Sequence, residues 1–186
     1  QIEAVLASEV DLVATAVGLP PDVIARVRAS GKKTISLIGT PGHARAAIAA
    51  GADVLVAQGY DAGGHTGSIG TFTLVPQIVE LARSHGIPVV AAGGLATGAQ
   101  LLAALAMGAQ GGWFGTIWLG ARENHTHRLL LKKLLAAGSS DTVITRAHSG
   151  KPCRVVKSAW SDKWAAPGAP VPLPMPYQQA LTGELL

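Results

Sequence analysis

The sequence predicts an α/β fold in which short buried strands alternate with helices. Short apolar runs recur along the first 120 residues, and most of them are continuous rather than alternating. Continuous runs of this kind are typical of strands buried on both faces of a parallel sheet. A segment rich in Ala and Leu, with helix-capping residues near its ends, follows most of these runs. The repeated strand–helix unit therefore indicates a parallel β/α architecture.

Five strands follow from this pattern. They are predicted at Leu12–Val17, Thr34–Ile38, Val54–Ala57, Val89–Ala92 and Gly112–Phe114. After the second strand, Thr40 is expected to cap a helix that begins at Pro41 and closes at Gly51. The reason is that Thr is a favoured N-cap, Pro a favoured first helical residue and Gly a favoured helix terminator.

The remaining helices have their own boundary signals. Thr97 and Gln100 have the spacing of a capping box, which predicts a helix start before the fifth strand. Three leucines of that helix are expected to face the sheet, namely Leu101, Leu102 and Leu105. Two further helices are predicted, one from Pro20-Pro21-Asp22 to about Gly31 and one from about Thr73 to Ser84-His85-Gly86.

The strand–helix repeat stops after Gly120. Residues Arg122 to Ala137 are predicted to form one helix with a basic C-terminal half. The rest shows no such repeat, and prolines concentrate between Pro167 and Pro176, which favours extended or irregular chain. We therefore expect a β/α part at residues 1–120 and an appended helical or irregular lobe at residues 121–186.

Composition narrows the classes of protein to which the chain could belong. Its 186 residues suffice for one core but not for two large domains. The net charge of +4 is spread along the chain without a dense basic block, which favours an ordinary surface over a nucleic-acid site. No apolar run reaches the roughly 20 residues that span a bilayer. The single cysteine, Cys153, excludes a disulfide framework and favours a reducing, cytoplasmic setting.

Glycine-rich loops are the candidate chemical site. His65 stands in the loop GYDAGGHTGSIG, where small neighbours leave room for a ligand. Gly93-Gly94 end one predicted strand and Gly115-Thr116 end the next. Backbone N–H groups in such loops bind phosphate, and in a (β/α)8 barrel the loops after the last two strands commonly do so. The pattern predicts a phosphate-bearing ligand.

Three stretches, QGYDAGGHTG, PVVAAGGLATGAQLLAALAMGAQGGWFGT and TRAHSGKPCRVV, resemble the nitronate monooxygenases, which are FMN-dependent (β/α)8 barrels. The resemblance implies that His65 is the catalytic base. It implies that the flavin is lined by Gln58, Gly63 and Gly64. It implies that the FMN phosphate is held by Gly93, Gly94, Gly115 and Thr116.

The expected function is the oxidation of alkyl nitronates or nitroalkanes with O2, with FMN as the cofactor. The family's enoyl-acyl-carrier-protein reductase relatives, which use FMN and NAD(P)H, supply an alternative, and a flavin-binding remnant without catalysis is a third. Five strands against the barrel's eight lead us to expect strands four to eight only, with part of the appended lobe. No nucleic-acid or membrane partner is expected, and the sequence leaves the oligomeric state open.

Several polar residues have simpler interpretations. His125 and His127 are two positions apart on the predicted helix, so they face different directions and no metal site is expected. Asp61 is expected to be a solvated loop carboxylate, the alternative being contact with the substrate or with His65. Ser68 is an open candidate for a flavin contact, and Cys153 is expected to be a small structural residue.

Overall fold

The computed structural model describes residues 2–16 and 21–183. The helices are α1 (Ile2–Ala7), α2 (Pro21–Ala29), α3 (Pro41–Ala49), α4 (Thr71–Arg83), α5 (Gly98–Ala106), α6 (Arg128–Ala136), α7 (Ala159–Ala165) and α8 (Tyr177–Thr182). The strands are β1 (Leu12–Ala16), β2 (Lys33–Ile38), β3 (Val54–Gln58), β4 (Gly64–His65), β5 (Val89–Ala92), β6 (Gly111–Trp113), β7 (Thr142–Thr145) and β8 (Cys153–Val156). A 3₁₀-helix spans Thr116–Gly120.

The chain divides into two compact units. The first comprises Gln1–Asp61 and Gly67–Phe114, and the second comprises Ala62–Thr66 and Gly115–Leu186. The short strand β4 therefore belongs to the second unit although it lies between β3 and α4 in the chain. The division by role that we placed at residues 120 and 121 stays a prediction.

A five-stranded parallel sheet forms the first unit, in the order β1-β2-β3-β5-β6. Each neighbouring pair is parallel, as in the register of Leu55 opposite Val89. Parallel strands that lie side by side in chain order have the arrangement of successive strands in a (β/α)8 barrel. The predicted α/β class is confirmed, and the five predicted strands are present with ends shifted by at most one residue. Val17 lies outside the described residues.

The core of the first unit lies between this sheet and its helices. Leu55 and Val56 of β3 are fully buried, and so are Leu74 and Ile78 of α4. Continuous burial along β3 explains why that strand reads as an unbroken apolar run. The apolar residues of α4 recur at helical spacing, so one face of this helix packs into the core.

The predicted helix caps at Thr40 and Thr97 are confirmed, but one predicted helix face is partly wrong. The Thr40 side chain accepts a hydrogen bond from His43 N, and Thr97 with Gln100 forms a capping box. Leu102 and Leu105, however, are 68% and 43% exposed, whereas Ala104 is completely buried. Leu101 is half-buried and lies against Gly112 of β6, as predicted. Leucines lie on more than one side of α5, so their positions alone did not reveal the whole face that meets the sheet.

The predicted helix from Arg122 to Ala137 is also wrong over its first turns, because α6 begins only at Arg128. Polar side chains account for the difference. Asn124 donates to the Trp118 carbonyl and Thr126 to the Leu119 carbonyl, so both satisfy the end of the preceding 3₁₀-helix. Side chains that bond to nearby backbone groups in this way compete with a continuous helix.

An antiparallel sheet in the order β4-β8-β7 organises the second unit. Strands β7 and β8 lie in the stretch predicted to be extended or irregular, and they pair with Ile144 opposite Arg154. Across the described ranges, no helix combines the length and the apolar character needed to cross a membrane.

Candidate functional site

Asp61 anchors the glycine-rich loop to the start of α4. Its Oδ2 accepts a hydrogen bond from Thr71 N at 2.8 Å. The N-cap residue Gly70 has no side chain that could cap the helix, so Asp61 takes this role. A carboxylate at a helix N-terminus is also favoured by the helix dipole. Asp61 is exposed, as expected of a loop carboxylate, but it has this additional structural role. A Cβ on Gly59 would overlap the backbone of Thr71, so this close approach requires glycine.

His65 is held at both its backbone and its ring. In β4, His65 lies opposite Cys153 of β8, and Thr66 N donates to the Pro152 carbonyl at 3.2 Å. The ring Nε2 lies 2.7 Å from Ser149 Oγ, and Ser149 is only 5% exposed. The histidine therefore has a defined position despite its glycine neighbours, and it remains solvent-exposed, as a group that meets a substrate must be.

Of the predicted glycines in the second unit, Gly64 and Gly115 face open space, whereas Gly63 is closely packed. Gly64 has φ +76° and nothing within 4 Å of a Cβ built on it, and Gly115 also faces open space. A Cβ on Gly63 would lie 2.9 Å from Thr116 Oγ1, so Gly63 packs against the start of the 3₁₀-helix. Within the second unit, the structure therefore brings Gly63 and Thr116 together.

Two consecutive peptide groups after β5 are held in fixed orientations. Gly93 and Gly94 have φ values of +102° and +74°, which favour glycine. Thr71 Oγ1 donates to the Gly93 carbonyl at 2.9 Å, and Gln100 Nε2 donates to the Gly94 carbonyl at 2.8 Å. In a trans peptide the N–H points away from its own C=O. The N–H groups of Gly94 and Leu95 therefore point away from Thr71 and Gln100, respectively.

We call the N–H groups of Gly94 and Leu95 the amide cradle. In the part of the chain that the structure describes, neither N–H donates to a protein acceptor. Successive backbone N–H groups at a turn can together bind an anion. Gln58, the last residue of β3, is half-buried and lies opposite Ala92, directly before the cradle segment.

Sequence reasoning missed the residues that orient this site. Gln100 was recognised only as a helix cap, yet its Oε1 also accepts from Ala96 N and its amide holds the cradle. Thr71 and Ser149 were not singled out at all. Ser149 is 84 positions from His65, and no local pattern reports a pairing over that distance.

The other candidates are accounted for by their surroundings. Cys153 is half-buried, and this burial raises the pKa of its thiol, so the thiol stays protonated at neutral pH. His127 Nδ1 accepts from Leu129 N and caps α6. Among the described residues, no group of three or more His, Cys, Asp or Glu side chains could hold a metal ion.

Comparison with known proteins gives the family. A family model described as nitronate monooxygenase matches residues 1–185. The chain belongs to the nitronate monooxygenase family. Rv1533 of Mycobacterium tuberculosis, a candidate monooxygenase, is 45% identical over 184 residues, which is 98% of this chain and 48% of that protein.

Solved structures of two other proteins have the same fold. A nitroalkane oxidase from Streptomyces ansochromogenes superposes with a TM-score of 0.87 and 34% identity, over 99% of this chain and 55% of its own. FabK from Thermotoga maritima superposes with a TM-score of 0.80 and 34% identity, over 87% of this chain and 51% of its own. The chain spans about half the length of the curated relatives it matches.

Proposed function

We propose that this chain serves the FMN-dependent oxidation of alkyl nitronates or nitroalkanes by O2, with His65 as the catalytic base. The observation that carries the proposal is the 2.7 Å hydrogen bond between His65 Nε2 and the buried Ser149 hydroxyl. It positions an exposed, titratable ring on a strand whose glycine neighbour leaves open space. Membership of the nitronate monooxygenase family supports the same chemistry.

The amide cradle fits a phosphate group. Its two N–H groups belong to peptides whose carbonyls are already bonded to Thr71 and Gln100, so they need no rearrangement to bind an oxyanion. Residues of the first unit proposed to bind FMN are Gln58, Gly93 and Gly94. Residues of the second unit proposed to bind it are Gly63, Gly64, Gly115 and Thr116. When bound, FMN supplies the electron acceptor for the oxidation.

His65 removes the proton from the carbon that bears the nitro group. A histidine side chain is a common general base near neutral pH. Transfer of this proton to the ring converts the neutral nitroalkane to its nitronate and the neutral imidazole to an imidazolium. Both ring nitrogens of an imidazolium are donors, and Ser149 Oγ can accept from Nε2. Ser149 therefore stabilises the protonated base in place.

Substrate pairs test the role of His65. For His65→Asn, we expect turnover of a neutral nitroalkane to fall by about 10²–10⁴-fold, the usual contribution of a general base. A pre-formed nitronate needs no deprotonation and should lose much less. His125→Asn, which replaces an exposed histidine of the same unit, is the matched control. Unchanged nitroalkane turnover in the FMN-loaded His65→Asn protein would refute the assignment.

Electron-donor assays separate the alternatives. Oxygen uptake with a nitronate and without NADH supports the proposed reaction. Consumption of NAD(P)H with an enoyl thioester would instead favour the reductase function. A protein that binds FMN but performs neither reaction would be a flavin-binding remnant. We also propose a cytoplasmic location, because a chain with a single cysteine fits the reducing conditions of the cytoplasm.

A further inference from the structure

Helix α8 buries two polar side chains on one face. Gln178 and Thr182 are both completely buried, and their spacing of four residues places them on the same side of the helix. Gln178 Nε2 donates to the Ala147 carbonyl at 2.9 Å, while its Oε1 accepts from Leu173 N at 2.9 Å. Thr182 Oγ1 has two acceptors for its single proton, the His148 carbonyl at 2.8 Å and, slightly farther away, the Gln178 carbonyl at 3.0 Å. The two side chains thus hold two consecutive carbonyls.

Ser149 follows those carbonyls directly. The segment 146–150 is held at its ends as well, because Gly150 N donates to the Arg146 carbonyl at 2.8 Å. Gly150 has φ +82°, and a Cβ on it would overlap the Leu173 carbonyl, so only glycine lets the segment lie this close to residues 173–175. The backbone on both sides of Ser149 is therefore held in place.

The partners of both side chains are backbone groups, which cannot be replaced by apolar ones and which need hydrogen bonds where they are buried. The polar pair therefore contributes to stability. Because it bonds to particular carbonyls, it also selects one backbone conformation. Here the fixed conformation is the one that keeps Ser149 Oγ 2.7 Å from His65 Nε2.

We propose that Gln178 and Thr182 are positioning residues for His65, which they orient through the 147–149 backbone and Ser149. The consequence for catalysis rests on the proposed role of His65 as the base. The hydrogen bond between the His65 ring and Ser149 can be measured without any turnover of substrate. The proposal can therefore fail while the proposed reaction stands, and the reverse also holds.

Nitrogen NMR of the ring tests the proposal directly. Spectra of protein labelled with ¹⁵N-histidine are recorded over a series of pH values, and the variants are compared in the alkaline range where the histidine signals no longer change with pH. His65→Asn assigns the His65 signals, and Ser149→Ala defines how they change when the Nε2 hydrogen bond is lost. We expect Gln178→Met to move the His65 signals toward their positions in Ser149→Ala.

Matched variants separate positioning from general destabilisation. Gln179→Met changes the exposed neighbour on the same helix and should leave the His65 signals in place. Thr182→Val keeps the shape of the side chain, loses one bond to His148 and should give a smaller change in the same direction. Thr182→Ser keeps the hydroxyl and should restore the original signals. Folded Gln178→Met or Thr182→Val protein with unchanged His65 signals would overturn the proposal.

Discussion

Gln100→Leu perturbs the amide cradle without placing a side chain inside it. Replacement of Gly94 would be less informative, because that residue has φ +74° and a Cβ on it would lie 3.0 Å from Asp61 Cβ. Gln100 is exposed, and its amide contacts the cradle only through the Gly94 carbonyl. Leucine keeps the helix propensity and much of the bulk of the side chain and removes its hydrogen bonds.

The expected loss of FMN affinity is about tenfold. A hydrogen bond to a charged group contributes about 1.5–3 kcal/mol. Without the Gln100 amide, the peptide group between Gly94 and Leu95 can rotate. Part of the binding free energy of one N–H hydrogen bond to the phosphate is then lost. A loss of about 1.4 kcal/mol corresponds to a factor of about ten in the dissociation constant. Stability should fall as well, by about 1–2 kcal/mol, because backbone N–H groups of Ala96 and Thr97 lose their acceptor.

Fluorescence titration with FMN measures this effect, and riboflavin supplies the control ligand. Riboflavin lacks the phosphate, so its affinity should be nearly the same in the original protein and in Gln100→Leu. Gln77→Leu alters an exposed glutamine of α4 and should leave both affinities unchanged. If Gln100→Leu binds FMN as tightly as the original protein does, or loses riboflavin affinity equally, the phosphate assignment of the cradle is wrong.

Two further predictions concern stability. Hydrogen bonds from Thr34 and Lys33 lower the pKa of Asp53, although burial alone would raise it. The carboxylate therefore stabilises the fold above the unfolded pKa of about 3.9, and this contribution is lost as the pH falls through the folded value. Asp53→Asn should lower the melting temperature at pH 7 and much less at about pH 2, and an equal effect at both would contradict the pKa shift. Gly59→Ala should destabilise by about 1–3 kcal/mol through overlap with the Thr71 backbone, measured by urea unfolding. Gly98→Ala, with nothing within 4 Å, should be neutral or stabilising, and an equal loss in both variants would contradict the overlap.

The parallel sheet could be predicted because its strands are buried on both faces. The stretch Val54–Gln58 has no polar residue before its last position, so its burial could be predicted from this short run of sequence alone. The cap of α3 at Thr40 was equally local, since one side chain and the following proline decide it. The face of α5 was not predictable, because alanine and leucine surround that helix and only Ala104 is completely buried.

The candidate site was predictable in its glycines and its histidine, but not in the residues that orient them. Glycine loops and one histidine are visible in a short window of sequence. The pairing of His65 with Ser149 depends on β8 and β4 meeting in one sheet, which no local pattern indicates. The second bond of Gln100, to the Gly94 carbonyl, depends on how the loop returns toward α5. Contacts between residues far apart in the sequence can be identified only from the three-dimensional structure.

Anaerobic reduction of the flavin tests the central claim most directly. The purified protein is loaded with FMN, its absorbance spectrum is recorded, and a neutral nitroalkane is added in the absence of O2. We predict that the flavin absorbance bleaches in the original protein, and that His65→Asn slows bleaching by about 10²–10⁴-fold while a pre-formed nitronate still reduces it. Equal bleaching rates with the neutral nitroalkane in both proteins, or no bleaching of bound FMN by either substrate, would contradict the account.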